Sequence, residues 1–160
     1  MDFALVSLVV AAAAAITASS MLYDLIYYRL PNYLMLALLL LYPAYVLASP
    51  VDIPWGWDLV VALIVLVIGV AVYALGAIGA GDVKFAAIAF LWAGAANGLA
   101  YFIVFAIIGG VLSVMLLLGR PILAKFTPQD KLIRVWQLRA PVPYGLALGS
   151  ALLLLWFGAY

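Results

Sequence analysis

Leu59 to Gly119 reads LVVALIVLVIGVAVYALGAIGAGDVKFAAIAFLWAGAANGLAYFIVFAIIGGVLSVMLLLG, and its only charged residues are Asp82 and Lys84. A spanning helix takes about 20 residues, and this stretch has room for three. Leu59–Ala80 makes one. Asp82 and Lys84 then interrupt the apolar run. The uncharged sequence from Phe85 to Gly119 is too long for a single crossing. Ala93-Gly94-Ala95-Ala96-Asn97-Gly98 is the place to turn, which predicts a short fourth helix and a full-length fifth.

Working outward, Phe3–Tyr23 is a first apolar run with no charge inside it. It has no Lys or Arg before it and exceeds the apolar core of a signal peptide, so it reads as a retained helix. Tyr33–Ser49 is a second run, with a kink expected at Pro43. The loop Ser49–Trp57 carries Trp55 and Trp57, residues suited to a membrane interface. Arg120–Arg139 is polar, and the last span runs from about Tyr144 to the C-terminus. The expected fold is all-α: one polytopic membrane domain over residues 1–160, a bundle of six transmembrane helices. The whole composition agrees. The chain is 71% hydrophobic and 8% charged, whereas a soluble domain carries roughly 25% charged residues.

The basic residues supply an independent check on the helix count. Arg29 lies in the first connection, Lys84 in the third, and Arg120, Lys125, Lys131, Arg134 and Arg139 in the fifth. The second and fourth connections contain none. All seven basic residues therefore fall on one side. The positive-inside rule makes that side cytoplasmic and puts both termini outside. Within the fifth connection, Thr127-Pro128-Gln129-Asp130 resembles a helix start, with Thr as N-cap and Pro at the first position. Leu132, Ile133 and Trp136 then share one face. This predicts a short amphipathic helix on the cytoplasmic surface, held by anionic lipid headgroups. Gly94-x-x-x-Gly98 and Gly145-x-x-x-Gly149 read as sites of close helix packing.

Missing residue types exclude whole chemistries. The chain has no His and no Cys, so His-based triads, thiol catalysis, thiolate or imidazole metal sites and disulfides are out. No cofactor or metal is expected. The basic residues are too few for a nucleic-acid-binding face. There is also no Glu, so carboxylate chemistry rests on Asp2, Asp24, Asp52, Asp58, Asp82 and Asp130. Asp2, Asp52 and Asp58 map to the outer face near water, and Asp130 to the polar segment.

Asp24 and Asp82 differ, because each lies where a long apolar helix meets the cytoplasmic boundary. Ionisable groups there are costly and are functional candidates. The topology brings both to the same level. Gly79 and Gly81 permit a close backbone approach around Asp82. Pro31 ends the helix a few residues after Asp24. Two nearby carboxylates do not both ionise cheaply, so one keeps a proton while the other acts as base toward water. Two boundary aspartates could instead cap helices or pair with Arg29 and Lys84; spacing alone leaves both readings open.

Gly79-Ala80-Gly81-Asp82-Val83-Lys84 matches the GxGDxK motif of the type 4 prepilin peptidase family, which are membrane aspartic proteases of the wider GxGD class. Asp24 followed by Arg29-Leu30-Pro31-Asn32 resembles the first-aspartate region of that family. Pro143-Tyr144-Gly145-Leu146-Ala147 resembles its third block, and the three blocks occur in the family's order. The resemblance implies removal of short leader peptides from prepilin or pseudopilin precursors at the cytoplasmic face. Asp24 and Asp82 would be the catalytic pair. Gly79 and Gly81 would shape the turn, with Arg29, Pro31, Asn32, Lys84, Pro143, Tyr144 and Gly145 as supporting positions. Long members of the family carry a cysteine-paired cytoplasmic domain with methyltransferase activity. This chain has neither Cys nor room for that domain, and is similar to the short, peptidase-only form of tight-adherence pilus systems. Other classes remain as alternatives: a small proton- or ion-coupled transporter using intramembrane carboxylates, a silent assembly subunit, or, more remotely, a Ser-Lys protease using Lys84.

Overall fold

The computed structural model describes residues 3–128, 134–138 and 140–158. Among these there are six α-helices and no strand: α1 (Phe3–Tyr27), α2 (Asn32–Ala48), α3 (Trp55–Ala74), α4 (Ala80–Ala93), α5 (Gly98–Phe126) and α6 (Tyr144–Gly158). Short 3-10 turns occupy Ala95–Asn97 and Arg134–Trp136. The all-helical expectation is met, with six α-helices among the described residues. Asp2, Asp130, Lys131 and Arg139 lie outside the described residues, as does most of the expected amphipathic helix.

Three of the helical stretches, Phe3–Tyr27, Trp55–Ala74 and Ala95–Phe126, are long and apolar enough to cross a membrane. Outside the core, α3 exposes Leu63, Ile64, Val67, Ile68 and Val70. Contiguous apolar faces of this size are rare on soluble proteins and need lipid or a partner.

Helix boundaries depart from the sequence reading in several places. α1 continues to Tyr27 and is closed by Tyr28, whose φ of 53° lies in the left-handed region and whose N–H donates to the Asp24 carbonyl at 2.9 Å. α3 starts at Trp55, directly after Pro54 as N-cap, so the two Trp sit in its first turn rather than in a loop. α3 also stops at Ala74, six residues early, because the chain turns at Gly76 with φ 76°. α5 does not stop at Gly119 but carries Arg120 to Lys125 within the helix. Gly94 and Gly98 do not form a helix-packing stripe. Gly94 closes α4 with φ 78°, a conformation glycine adopts without strain, and Gly98 opens α5.

α4 is the central element, packed by α2, α3 and α6. Val83, Phe85, Ala87, Ile88, Ala89, Leu91, Trp92 and Ala93 are all buried. At 14 residues it is about 21 Å long at 1.5 Å per residue, less than a hydrocarbon core of about 30 Å. Side chains bond to neighbouring backbones around it. Trp92 Nε1 donates to the Leu38 carbonyl of α2 at 3.0 Å, and Tyr101 of α5 donates its hydroxyl to the Leu148 carbonyl of α6 at 3.0 Å. In a medium without water, each such pairing removes a costly unsatisfied group.

Asp58 corrects the sequence reading most sharply. It does not face water, being only 2% exposed. Its carboxylate accepts from the Tyr42 hydroxyl at 2.6 Å and from the Ala95 backbone N–H at 2.7 Å. It therefore joins α2, the start of α3 and the turn after α4. Substituting Asp58→Ala strands a buried hydroxyl and a backbone N–H, and we expect a loss of roughly 2–4 kcal/mol. Asp58→Asn, which keeps the shape and one acceptor, is expected to cost less. Thermal unfolding in detergent, followed by circular dichroism, checks the order; equal melting of wild type and Asp58→Ala contradicts the bridging role.

Candidate active site

Along α1 the buried residues are Val9, Ala13, Thr17, Ser20 and Asp24. Their spacing of three or four places them on one stripe of the helix, so Asp24 is the last member of the face that enters the bundle. It is 5% exposed. The α1 face meets α6, and the contact is close enough to demand glycine. A Cβ at Gly145 would stand 2.8 Å from Asp24 Oδ2, 2.9 Å from its Cγ and 3.0 Å from its Cβ. One turn later, a Cβ at Gly149 would strike Met21 and approach Thr17. The Gly145-x-x-x-Gly149 pair is thus a packing stripe, as expected, and its first member seats Asp24.

Gly145 lies in the first turn of α6, where backbone N–H groups lack helical acceptors. The Leu146 N–H donates to the Pro143 carbonyl at 3.2 Å, while the Gly145 backbone lies against the Asp24 carboxyl, where the helix N-terminus favours negative charge. Oδ2 of Asp24 is buried without a hydrogen-bond partner. An unpaired carboxylate oxygen in such a place costs stability, so it calls for an explanation beyond packing.

Asp82 reaches the site by a different local device. Gly79 is the N-cap of α4, which puts Asp82 at the third helical position. From there its carboxyl bends back toward the N-cap residue, as the third-position half of a capping box does, although Gly79 has no side chain to return the bond. The Gly79 backbone N–H faces it, and a Cβ on Gly79 would stand 3.0 Å from Asp82 Oδ2. The other glycine has a separate task. A Cβ on Gly81 would stand 3.3 Å from Leu30 Cβ, so Gly81 is where the α3–α4 turn meets the α1–α2 connection.

These two connections enclose one cavity of about 680 Å³. Asp24, Arg29, Pro31 and Asn32 line it from one side and Gly79, Gly81, Asp82 and Lys84 from the other. Both carboxyls therefore border the same space. Lys84 Nζ donates to Asn32 Oδ1 at 3.1 Å, linking the two connections. Among the described residues neither Arg29 nor Lys84 forms an ion pair with Asp24 or Asp82. Pro31 is the N-cap of α2 with extended backbone, φ −62° and ψ 133°. Pro143, Tyr144 and Gly145 do not line the cavity. Pro143 is fully buried behind it, and Gly145 supports Asp24 from the α6 side.

Tyr23 lines the cavity as well, with Tyr27 and Tyr28, which the sequence reading did not single out. The Tyr23 and Tyr27 rings pack with centroids 5.3 Å apart, tilted by 40°. Their spacing of four on α1 was a signal for this, since such residues share a face. No cluster of three or more His, Cys, Asp or Glu side chains that could hold a metal occurs among the described residues.

Fold and cavity together define a helical membrane protein with two acidic side chains converging on one open, polar-edged cleft. The profile of the type IV leader peptidase family matches residues 8–115. The chain belongs to that family of peptidases. The matched span contains both cavity-lining connections and ends before the Pro143–Gly145 block. No curated protein and no solved structure matches the chain.

Proposed function

We propose that this protein is an aspartic endopeptidase that removes the leader from prepilin or pseudopilin precursors at the cytoplasmic face of the membrane. The observation that carries the reading is the shared cavity. Asp24 and Asp82 come from different helices yet open into one space of about 680 Å³, edged by both motif-bearing connections. Neither carboxyl is consumed by an ion pair with the nearby bases.

In this reading one carboxylate takes a proton from water as the water oxygen attacks the scissile carbonyl carbon. The other, protonated, carboxyl donates a hydrogen bond to the carbonyl oxygen. A proton then passes to the departing amine as the C–N bond breaks. The pair titrates as a unit, so neither residue is assigned the proton. The six helices form a single inner-membrane domain with both termini outside, in which the short α4 is surrounded by α2, α3 and α6. Arg29 and Lys84 then sit at the cytoplasmic level of the cavity, consistent with the one-sided distribution of basic residues.

The test is co-expression with a candidate prepilin and separation of precursor from mature pilin on a mobility gel. Wild type is expected to yield the shorter band, with the new N-terminus at the leader junction. Precursor left intact across several pilins and pseudopilins, at normal membrane levels of the enzyme, would remove the proposed activity.

A further inference from the structure

Arg120 belongs to the long α5 helix, far in sequence from both aspartates, yet it is only 9% exposed. Its three guanidinium nitrogens bond to three separate backbone carbonyls. Nε donates to Val135 at 2.9 Å, one terminal nitrogen to Ala140 at 2.7 Å and the other to Pro141 at 2.9 Å. No carboxylate pairs with it among the described residues. A buried cation is costly unless its donors are satisfied, and here the acceptors are the main chain of the segment leading into α6. Trp136 of the same segment packs against α5, where a Cβ on Gly119 would stand 2.7 Å from its ring.

From this clasp to Asp24 the path is short and stiff. Pro141 and Pro143 have fixed φ, and Pro143 is fully buried. Helix α6 begins at the next residue, and Gly145 presses on the Asp24 carboxyl. We propose that Arg120 is a positioning residue: by gripping the carbonyls of Ala140 and Pro141 it sets where α6 starts, and so holds Gly145 against the Asp24 carboxyl. Arginine suits the task because its planar fork reaches several acceptors at once. Lysine offers one ammonium and cannot span them.

The test uses full-length wild type, Arg120→Gln and Arg120→Lys in detergent or liposomes. Amide hydrogen exchange is read first. Both variants are expected to speed exchange at Tyr144–Leu146 by at least about tenfold through local opening, with α3 amides unchanged. Wild-type exchange at Tyr144–Leu146 in either variant overturns the proposal, and so does acceleration spread equally over α3, which signals loss of the whole fold. If Arg120→Gln does not insert, Arg120→Lys decides. The second readout rests on the peptidase reading: kcat for prepilin cleavage is expected to fall about 100-fold with little change in KM, as for a misplaced catalytic group. An unchanged kcat, or a loss confined to KM, also overturns it. If the wild type cleaves no prepilin, the peptidase reading fails, and the exchange measurement still settles the clasp.

Discussion

Asp24→Asn and Asp82→Asn are each expected to abolish leader removal while the protein still reaches the membrane in normal amounts. Asparagine keeps the size of the side chain, so packing against Gly145 or Gly79 is preserved. What it removes is the capacity to take up and release a proton. General acid–base groups contribute about 10²–10⁴-fold each, and residues that act as a unit are strongly non-additive. Either single change should therefore take cleavage below detection, and the double variant should look no worse. A gel assay with membrane fractions matched by immunoblot is the measurement. Cleavage retained in both single variants would leave the cavity without the role assigned to it. Loss in only one would identify a single essential carboxylate and rule out the dyad.

Gly145→Ala is the second large effect, and it arises from one methyl group. The added carbon would meet three atoms of Asp24 within 3.0 Å, including its Cβ. Rotating the carboxyl away does not relieve a clash with Cβ, which moves only with the backbone. Either α6 or α1 must shift. Overpacking of this kind costs about 1–3 kcal/mol, and a misplacement near 1 Å at a catalytic group costs about 100-fold in rate. Gly149→Ala is the matched comparison. It crowds the same α1–α6 interface but meets mainly Met21, a flexible side chain that can move aside. The two variants are expected to lower the melting temperature similarly, while only Gly145→Ala loses most of kcat. Equal activity in both would mean that Gly145 serves packing alone.

The helix count was legible because it depends on run length and charge interruptions, and both are properties of the chain in order. The two aspartates were legible for a related reason: charged residues in a chain this apolar stand out at any boundary. Helix ends were less so. The early stop of α3 follows from the left-handed turn at Gly76, and several glycines nearby looked equally able to supply it. Arg120 read as one more cytoplasmic charge because nothing local shows that its acceptors lie fifteen to twenty-one residues downstream.

Sequence by itself determined the all-helical class, the excluded chemistries, the family resemblance and the choice of Asp24 and Asp82, since each is carried by composition or by residues adjacent in the chain. Tertiary structure alone decided that Asp58 is a buried bridge between α2 and the turn after α4. It alone seated Asp24 on Gly145, brought Leu30 against Gly81 and placed both carboxyls in one cavity. These are contacts between residues from 16 to more than a hundred positions apart. Their existence depends on how close two helices approach, and that distance is set by packing in three dimensions, which no periodicity along the chain encodes.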